Sequence, residues 1–193
     1  MEKRVRRQCI RAVAKLAVIM SVSAAAASAT TIERMSLVEL AQAAPVIVRA
    51  RCSGNAVARD AGEIWTLSSF DVEETWRGEA PRRIEVRLLG GSLGEVTSHV
   101  SGVPRFRAGE DVVLFLEPTK RGDYSVVSWE QGTFRVRGHA SGAEAFVTQD
   151  TASFATFNPA TRQFRAVGIR NMPLEDFRAR VKAALQGAAG RQP

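Results

Sequence analysis

The stretch Gly90-Gly91-Ser92-Leu93-Gly94 follows the alternating run RRIEVRLL and matches the G-x-S-x-G pattern of a serine nucleophile on a strand-to-helix turn. Asp111 and Asp123 come next and His139 after them, so the chain order Ser, acid, His is present. A triad here would use Ser92, Asp123 and His139, since His99 lies too close to the serine along the same loop. Acyl transfer also needs a helix directly after the serine, because its N-terminal amides help to hold the oxyanion. The residues that follow, EVTSHVSGVPRF, are rich in β-branched side chains, glycine and proline, with no helical period. The expectation is therefore a glycine-rich loop, no catalytic residue, and a chain that is not an enzyme. A small serine hydrolase using Ser92 is the alternative. The same loop lacks the Gly-Lys-Ser/Thr and the helix of a phosphate cradle.

Three arginine pairs offer a different chemistry. Arg49 and Arg51, Arg105 and Arg107, and Arg135 and Arg137 are each two residues apart, so each pair would share one face of an extended segment. Such faces could hold an anionic surface ligand or an acidic protein. The plainer expectation is a solvated outer face balanced by carboxylates such as Glu73 and Glu85. Trp65, Trp76 and Trp129 fit core and rim positions better than a sugar-stacking platform, with Trp129, beside Glu130, the candidate for exposure. Two histidines and two cysteines, Cys9 and Cys52, give no ligand cluster with metal spacing, and no metal or cofactor is expected.

The first residues change how charge and cysteine are counted. A basic start, an apolar stretch through Val18, Ile19 and Met20, and small residues ending Ala27-Ser28-Ala29 have the form of a signal peptide over 1–29, cleaved before Thr30. The apolar stretch is short for a membrane span and Lys15 interrupts it, so no span is expected after cleavage. Of 27 Lys plus Arg and 20 Asp plus Glu, six basic residues and one acidic residue fall in this segment. The remainder carries 21 basic against 19 acidic groups, too small an excess for a nucleic-acid footprint. Cys52 becomes the single thiol of an exported domain, periplasmic or extracellular. It is in phase with Val46, Val48 and Ala50, which predicts burial.

Residues 30–187 suit one domain, expected to be monomeric, with 188–193 as a disordered tail. A short helix is predicted in MSLVELAQAA, where Ser36 and Glu39 make a capping box and Met35 and Leu40 take the staple positions. Pro45 then starts a strand. VIVRARC, IWTLSSFDVEETW, RIEVRLL, DVVLFLE, YSVVSW and TFRVR read as consecutive short strands separated by turn residues. The apolar phase of the second slips near Ser68 and Ser69, which suggests a bulge there. EAFVTQ and QFRAVG are candidates for further strands. A C-terminal helix is predicted in NMPLEDFRARVKAALQG, with Pro173 in its first turn and Gly187 at its end. Leu174, Phe177, Val181 and Leu185 form its apolar stripe, whereas Arg178 lies on another face and should be nearly silent to replacement.

Few helices among many short strands indicate a mainly β chain: an antiparallel barrel with a short N-terminal helix and a C-terminal helix packed on it. AAPVIVRARCSGNAV, FDVEETWRGEAPRRIEVRLLGG and RFRAGEDVVLFLEP together resemble the barrel of netrin-like and tissue-inhibitor-of-metalloproteinase domains, and more closely a diffuse set of uncharacterised exported bacterial proteins. The shared features are the strand ending Trp76-Arg77-Gly78 and Gly109-Glu110 before an apolar strand. The resemblance implies an OB-type fold. It does not bring inhibition with it, because that activity uses an N-terminal cysteine and disulfides, and the expected N-terminus is Thr30. The function expected is an exported, non-enzymatic binding or interaction domain, with a structural envelope component as a further alternative.

Overall fold

A computed structural model describes residues 34–138, 144–153, 155–158, 163–166 and 168–189. The expected signal peptide and its cleavage point, His139 and residues 190–193 lie outside them. The chain enters through helix α1 (Leu37–Ala43). Its capping box is closed as expected: the Glu39 N–H donates to Ser36 Oγ at 3.2 Å and the Ser36 N–H to the Glu39 carboxylate at 2.6 Å. Leu40 and Ala41 are its buried face, and partly buried Met35 packs on the same cluster.

Twelve strands follow among the described residues. They are β1 (Val46–Asp60), β2 (Glu63–Arg77), β3 (Arg83–Leu89), β4 (Gly91–Leu93), β5 (Val96–Ser98) and β6 (Asp111–Pro118). After them come β7 (Tyr124–Val126), β8 (Thr133–Arg137), β9 (Phe146–Gln149), β10 (Ala155–Asn158), β11 (Gln163–Ala166) and β12 (Met172–Pro173). Helix α2 (Leu174–Ala189) comes last. Eight strands form one sheet in the order β1-β2-β3-β7-β6-β8-β9-β12. Because β1 pairs with β6 as well as β2, the sheet closes partly on itself. β4–β5 and β10–β11 are separate two-stranded hairpins.

Two cores explain the hydrophobic pattern. Inside the curl, Val46, Val48, Ala50 and Cys52 meet Phe70, Val86 and Leu88 from β2 and β3 and Val112, Leu114 and Leu116 from β6. The opposite face sends Ile47, Val113, Phe115 and Phe134 toward both helices, where Leu40, Phe177 and Val181 cover them. β6 therefore buries both faces, and its VVLFL is an unbroken apolar run for that reason. Cys52 is fully buried and free, and burial pushes its thiol pKa up.

Three local expectations need correction. The β2 phase does not slip at Ser68: Ile64, Thr66, Ser68 and Phe70 alternate on one buried face. Two of those side chains are polar and satisfied, Thr66 Oγ1 donating to Gly90 O at 2.8 Å and Ser68 Oγ to Asn55 Oδ1 at 2.6 Å. A register shift does fall opposite Ser69 and Phe70, but its extra residue is Ser53 on β1, and two more shifts pass over Glu73 and Trp76 of β2. At the C-terminus, Met172 and Pro173 pair with β9 and the helix starts only at Leu174. Proline lacks an N–H and is tolerated on so short an edge strand. The helix also runs through Gly187 to Ala189, so it takes up two residues of the segment expected as a tail. A terminal turn loses little from a glycine. Among the described residues, no helix is long and apolar enough to cross a membrane.

Candidate functional site

Ser92 sits on β4 and is followed by the antiparallel return of β5, not by a helix. The hairpin forms because Gly90 turns the chain at φ +89°, where a Cβ would come within 2.7 Å of Ser98 O. Ser92 Oγ lies 3.0 Å from Thr97 Oγ1 at the exposed surface and has no base among the described residues. Asp123 is buried and committed to Arg87, its Oδ2 2.9 Å from Arg87 Nε, and it also accepts from Thr119 Oγ1. Ser92→Ala is expected to change stability by less than about 0.5 kcal/mol. A serine-directed fluorophosphonate should leave the wild-type chain unlabelled. Stoichiometric labelling that Ser92→Ala abolishes would establish the hydrolase instead.

The arginine pairs separate into different environments. Arg49 is not on a solvated face, because β1 is covered on both sides from Val46 to Ala50. Its guanidinium is buried and bidentate on Asp111, at 3.2 and 2.6 Å, with Glu73 and Glu74 at 3.3 and 3.4 Å. The Asp111 hydrogen bonds raise its pKa above the ordinary arginine value, against the effect of burial. Arg51 is exposed on Glu73, and Arg105 donates to Thr66 Oγ1 at 3.2 Å and to Ser98 O at 3.3 Å. Trp65 lies under Arg87 and Trp76 against Phe177, whereas Trp129 is 38% exposed.

Arg135 and Arg137 do share a face, and there they line an open cleft of about 410 Å³. Neighbouring β9 supplies Thr148, which pairs with Arg135 across the strands, and buried Gln149. Asp150, Arg170 and Asn171 complete the lining. Gln149 fastens the far wall: its N–H donates to Ile169 O at 2.8 Å and its Oε1 accepts from the Ile169 N–H at 3.3 Å. Asn171, at φ 45°, sends its N–H to Thr148 Oγ1 at 3.2 Å.

Arg135 is held in place. It is bidentate on Asp150 at 2.7 and 2.8 Å, donates to Glu110 and to Arg105 O, and stacks 5.4 Å over Phe106. Burial draws its pKa down, but Asp150 and Glu110 outweigh it, so the guanidinium is held firmly charged. Arg137 is exposed and makes no ion pair among the described residues. The described lining thus holds three arginines and one carboxylate residue.

Beside the cleft is the tight 3-10 turn Trp129–Gly132. Ser128 and Trp129 lie at φ 51° and 52°, a left-handed pair that costs roughly 1–2 kcal/mol per non-glycine residue. The surroundings over-determine it. Thr133 Oγ1 donates to Trp129 O, Gln131 Nε2 to Ser128 Oγ, and Gln149 Nε2 to Gln131 O. Gly132 is needed because a Cβ there would collide with Val127 O. Within this turn Glu130 is half-buried, and its pKa is raised to about 7 by burial first and by Asp150 second, against the pull of Arg135.

The second depression, about 520 Å³, is acidic, lined by Asp71, Glu73 and Glu74 beside Arg82. Arg49, Arg51, Arg83 and Arg178 already engage those carboxylates. Among the described residues, no group of three or more His, Cys, Asp or Glu is placed to hold a metal ion. No protein-family model matches this chain, and no curated protein matches it either.

Arg135 and Arg137 were visible in the sequence as a pair. Glu130, Asp150, Arg170 and Asn171 were not, and only the β9 and β12 pairings bring the last three to that pair.

Proposed function

We propose that the chain is an exported, non-enzymatic binding domain that takes an anionic ligand in the cleft beside β8 and β9. One observation carries this: Arg135, Arg137 and Arg170 line one open depression whose described lining holds Asp150 as its carboxylate. Guanidinium groups present paired donors suited to carboxylate, sulfate or phosphate oxygens. Arg135 is immobilised by its carboxylates and gives the cleft a fixed wall, and Arg137 reaches from the same face into solvent. We further assign the closed part of the sheet to an OB-type barrel. What supports this is the pairing circuit β1-β2-β3-β7-β6-β1, with one parallel contact between β3 and β7 at Val86 and Tyr124. Export is supported by the residue pattern of 1–29.

Calorimetric titration of the purified chain with a sulfated oligosaccharide, beside its unsulfated parent, tests the cleft. The sulfated form should bind and weaken steeply with salt, the parent should not bind, and Arg137→Ala combined with Arg170→Gln should lose about tenfold or more. Equal binding by wild type and the double variant would place the site elsewhere.

A further inference from the structure

β9 lies between β8 and β12, and direct partners across antiparallel strands point to the same side of the sheet, with Cβ atoms about 4.5–5.5 Å apart. Arg135 stands opposite Thr148 and Arg137 opposite Phe146, and Phe146 in turn stands opposite Pro173. Asn171 extends the first row, since its N–H donates to Thr148 Oγ1 and its Oδ1 accepts from the same hydroxyl at 3.3 Å. One face of the sheet therefore carries two adjacent rows, Arg135-Thr148-Asn171 and Arg137-Phe146-Pro173. The alternate residues Phe134, Val136 and Val147 point the other way, into the core with Phe177. Phe146 is 36% exposed on the outer face. A single exposed phenylalanine would carry no message. This one is the cross-strand partner of Arg137 and lies two residues from Thr148, and both of those line the cleft.

We propose that the ligand of the cleft is an acidic saccharide, with its sulfate or carboxylate groups on Arg137 and Arg170 and the C–H face of one sugar ring on Phe146. The proposal rests on the anionic-ligand reading of the cleft and adds the ligand's class and a platform residue. Three chemistries meet on this face. The guanidinium groups suit sulfate or carboxylate oxygens. The exposed Asn171 amide is a donor and Asp150 an acceptor, the two partners that a hydroxyl group needs. The flat apolar ring of Phe146, with Pro173 beside it, suits the C–H face of a ring. A sugar that carries acid groups has anions, hydroxyls and apolar ring faces together. An acidic peptide fits less well. It would dock by adding a strand to the sheet, but the end strand β12 is two residues long and one of them is Pro173, which has no N–H to give.

The test titrates the purified chain with a sulfated oligosaccharide and, in parallel, with an oligoglutamate of equal charge. Wild type should bind the saccharide roughly tenfold more tightly than the peptide, the difference being the stacked ring. Phe146→Ala should lose about five- to tenfold for the saccharide and bring it close to the peptide. Phe146→Leu, which keeps an apolar side chain without the flat ring, should lose nearly as much. Melting curves show whether each variant is folded, and the exposure of Phe146 predicts that both are. A second readout reports the stacking itself: proton resonances of one sugar ring should move upfield on binding wild type, through the ring current of Phe146, and should not move with Phe146→Leu. Unchanged saccharide affinity in Phe146→Ala, beside a loss in Arg137→Ala, overturns the proposal while the anionic cleft stands. Peptide binding as tight as saccharide binding also overturns it and makes the cleft a site for acidic peptides. Absence of binding by either probe, or no loss in Arg137→Ala combined with Arg170→Gln, overturns the cleft and the platform together.

Discussion

Phe177→Ala is expected to destabilise the chain by about 3–5 kcal/mol, measured as a fall in the urea midpoint at unchanged slope. The side chain is fully buried, with ring centroids 4.6 Å from Phe134, 6.0 Å from Trp76 and 6.5 Å from Phe115. Those rings come from β8, β2 and β6, so one α2 residue ties the helix to three strands. Alanine would leave a cavity in a layer that small neighbours such as Ala41, Ala44 and Ala184 have no side chain to fill. Arg178 gives the comparison. It is not the silent surface residue its place off the apolar stripe suggested, because it pairs with Glu74 and lies 5.6 Å over Trp76. Its replacement by alanine should cost about 1 kcal/mol, well short of Phe177. Negligible effects from both would mean that α2 does not hold the sheet.

Local chemistry was legible and long-range polar chemistry was not. The α1 capping box joins residues three apart, and both partners stand side by side in the sequence. The strands β3 and β6 declare themselves by alternation and by an unbroken apolar run. The β4–β5 hairpin carries no such mark, since Leu93 and Val96 remain exposed and no buried face imposes a period on it. Ser68 and Ser69 read as a break in β2 because the buried Ser68 is satisfied by a partner from another segment, Asn55 Oδ1. Arg49 read as solvated for the same reason: its main partner is 62 residues away. The candidate cleft lies between these extremes. Spacing placed Arg135 with Arg137, but Asp150, Arg170 and Asn171 come from segments without periodicity, which the strands β9 and β12 deliver.

Asp111→Ala should be comparably severe, about 3 kcal/mol or slightly more. The Asp111 and Arg49 side chains are each 7% exposed, and they meet at the β1–β6 seam through which the sheet closes. Removing the aspartate strands a guanidinium that water cannot reach. Glu73 and Glu74 remain at 3.3 and 3.4 Å and soften the loss, which sets the expectation at the low end of the 3–5 kcal/mol range for breaking a buried pair. Glu73→Gln removes a partner that is 34% exposed and should cost about 1 kcal/mol or less. The decisive variant is Arg49→Met with Asp111→Leu, which deletes both charges and keeps much of the volume. If the cost of the single change is the uncompensated charge, the double variant should recover most of the stability lost in Asp111→Ala. If the double variant is instead as unstable as the single, the pair contributes through its own hydrogen bonds to the seam. A single-variant loss below about 1 kcal/mol would show that Arg49 reaches water once its partner is gone.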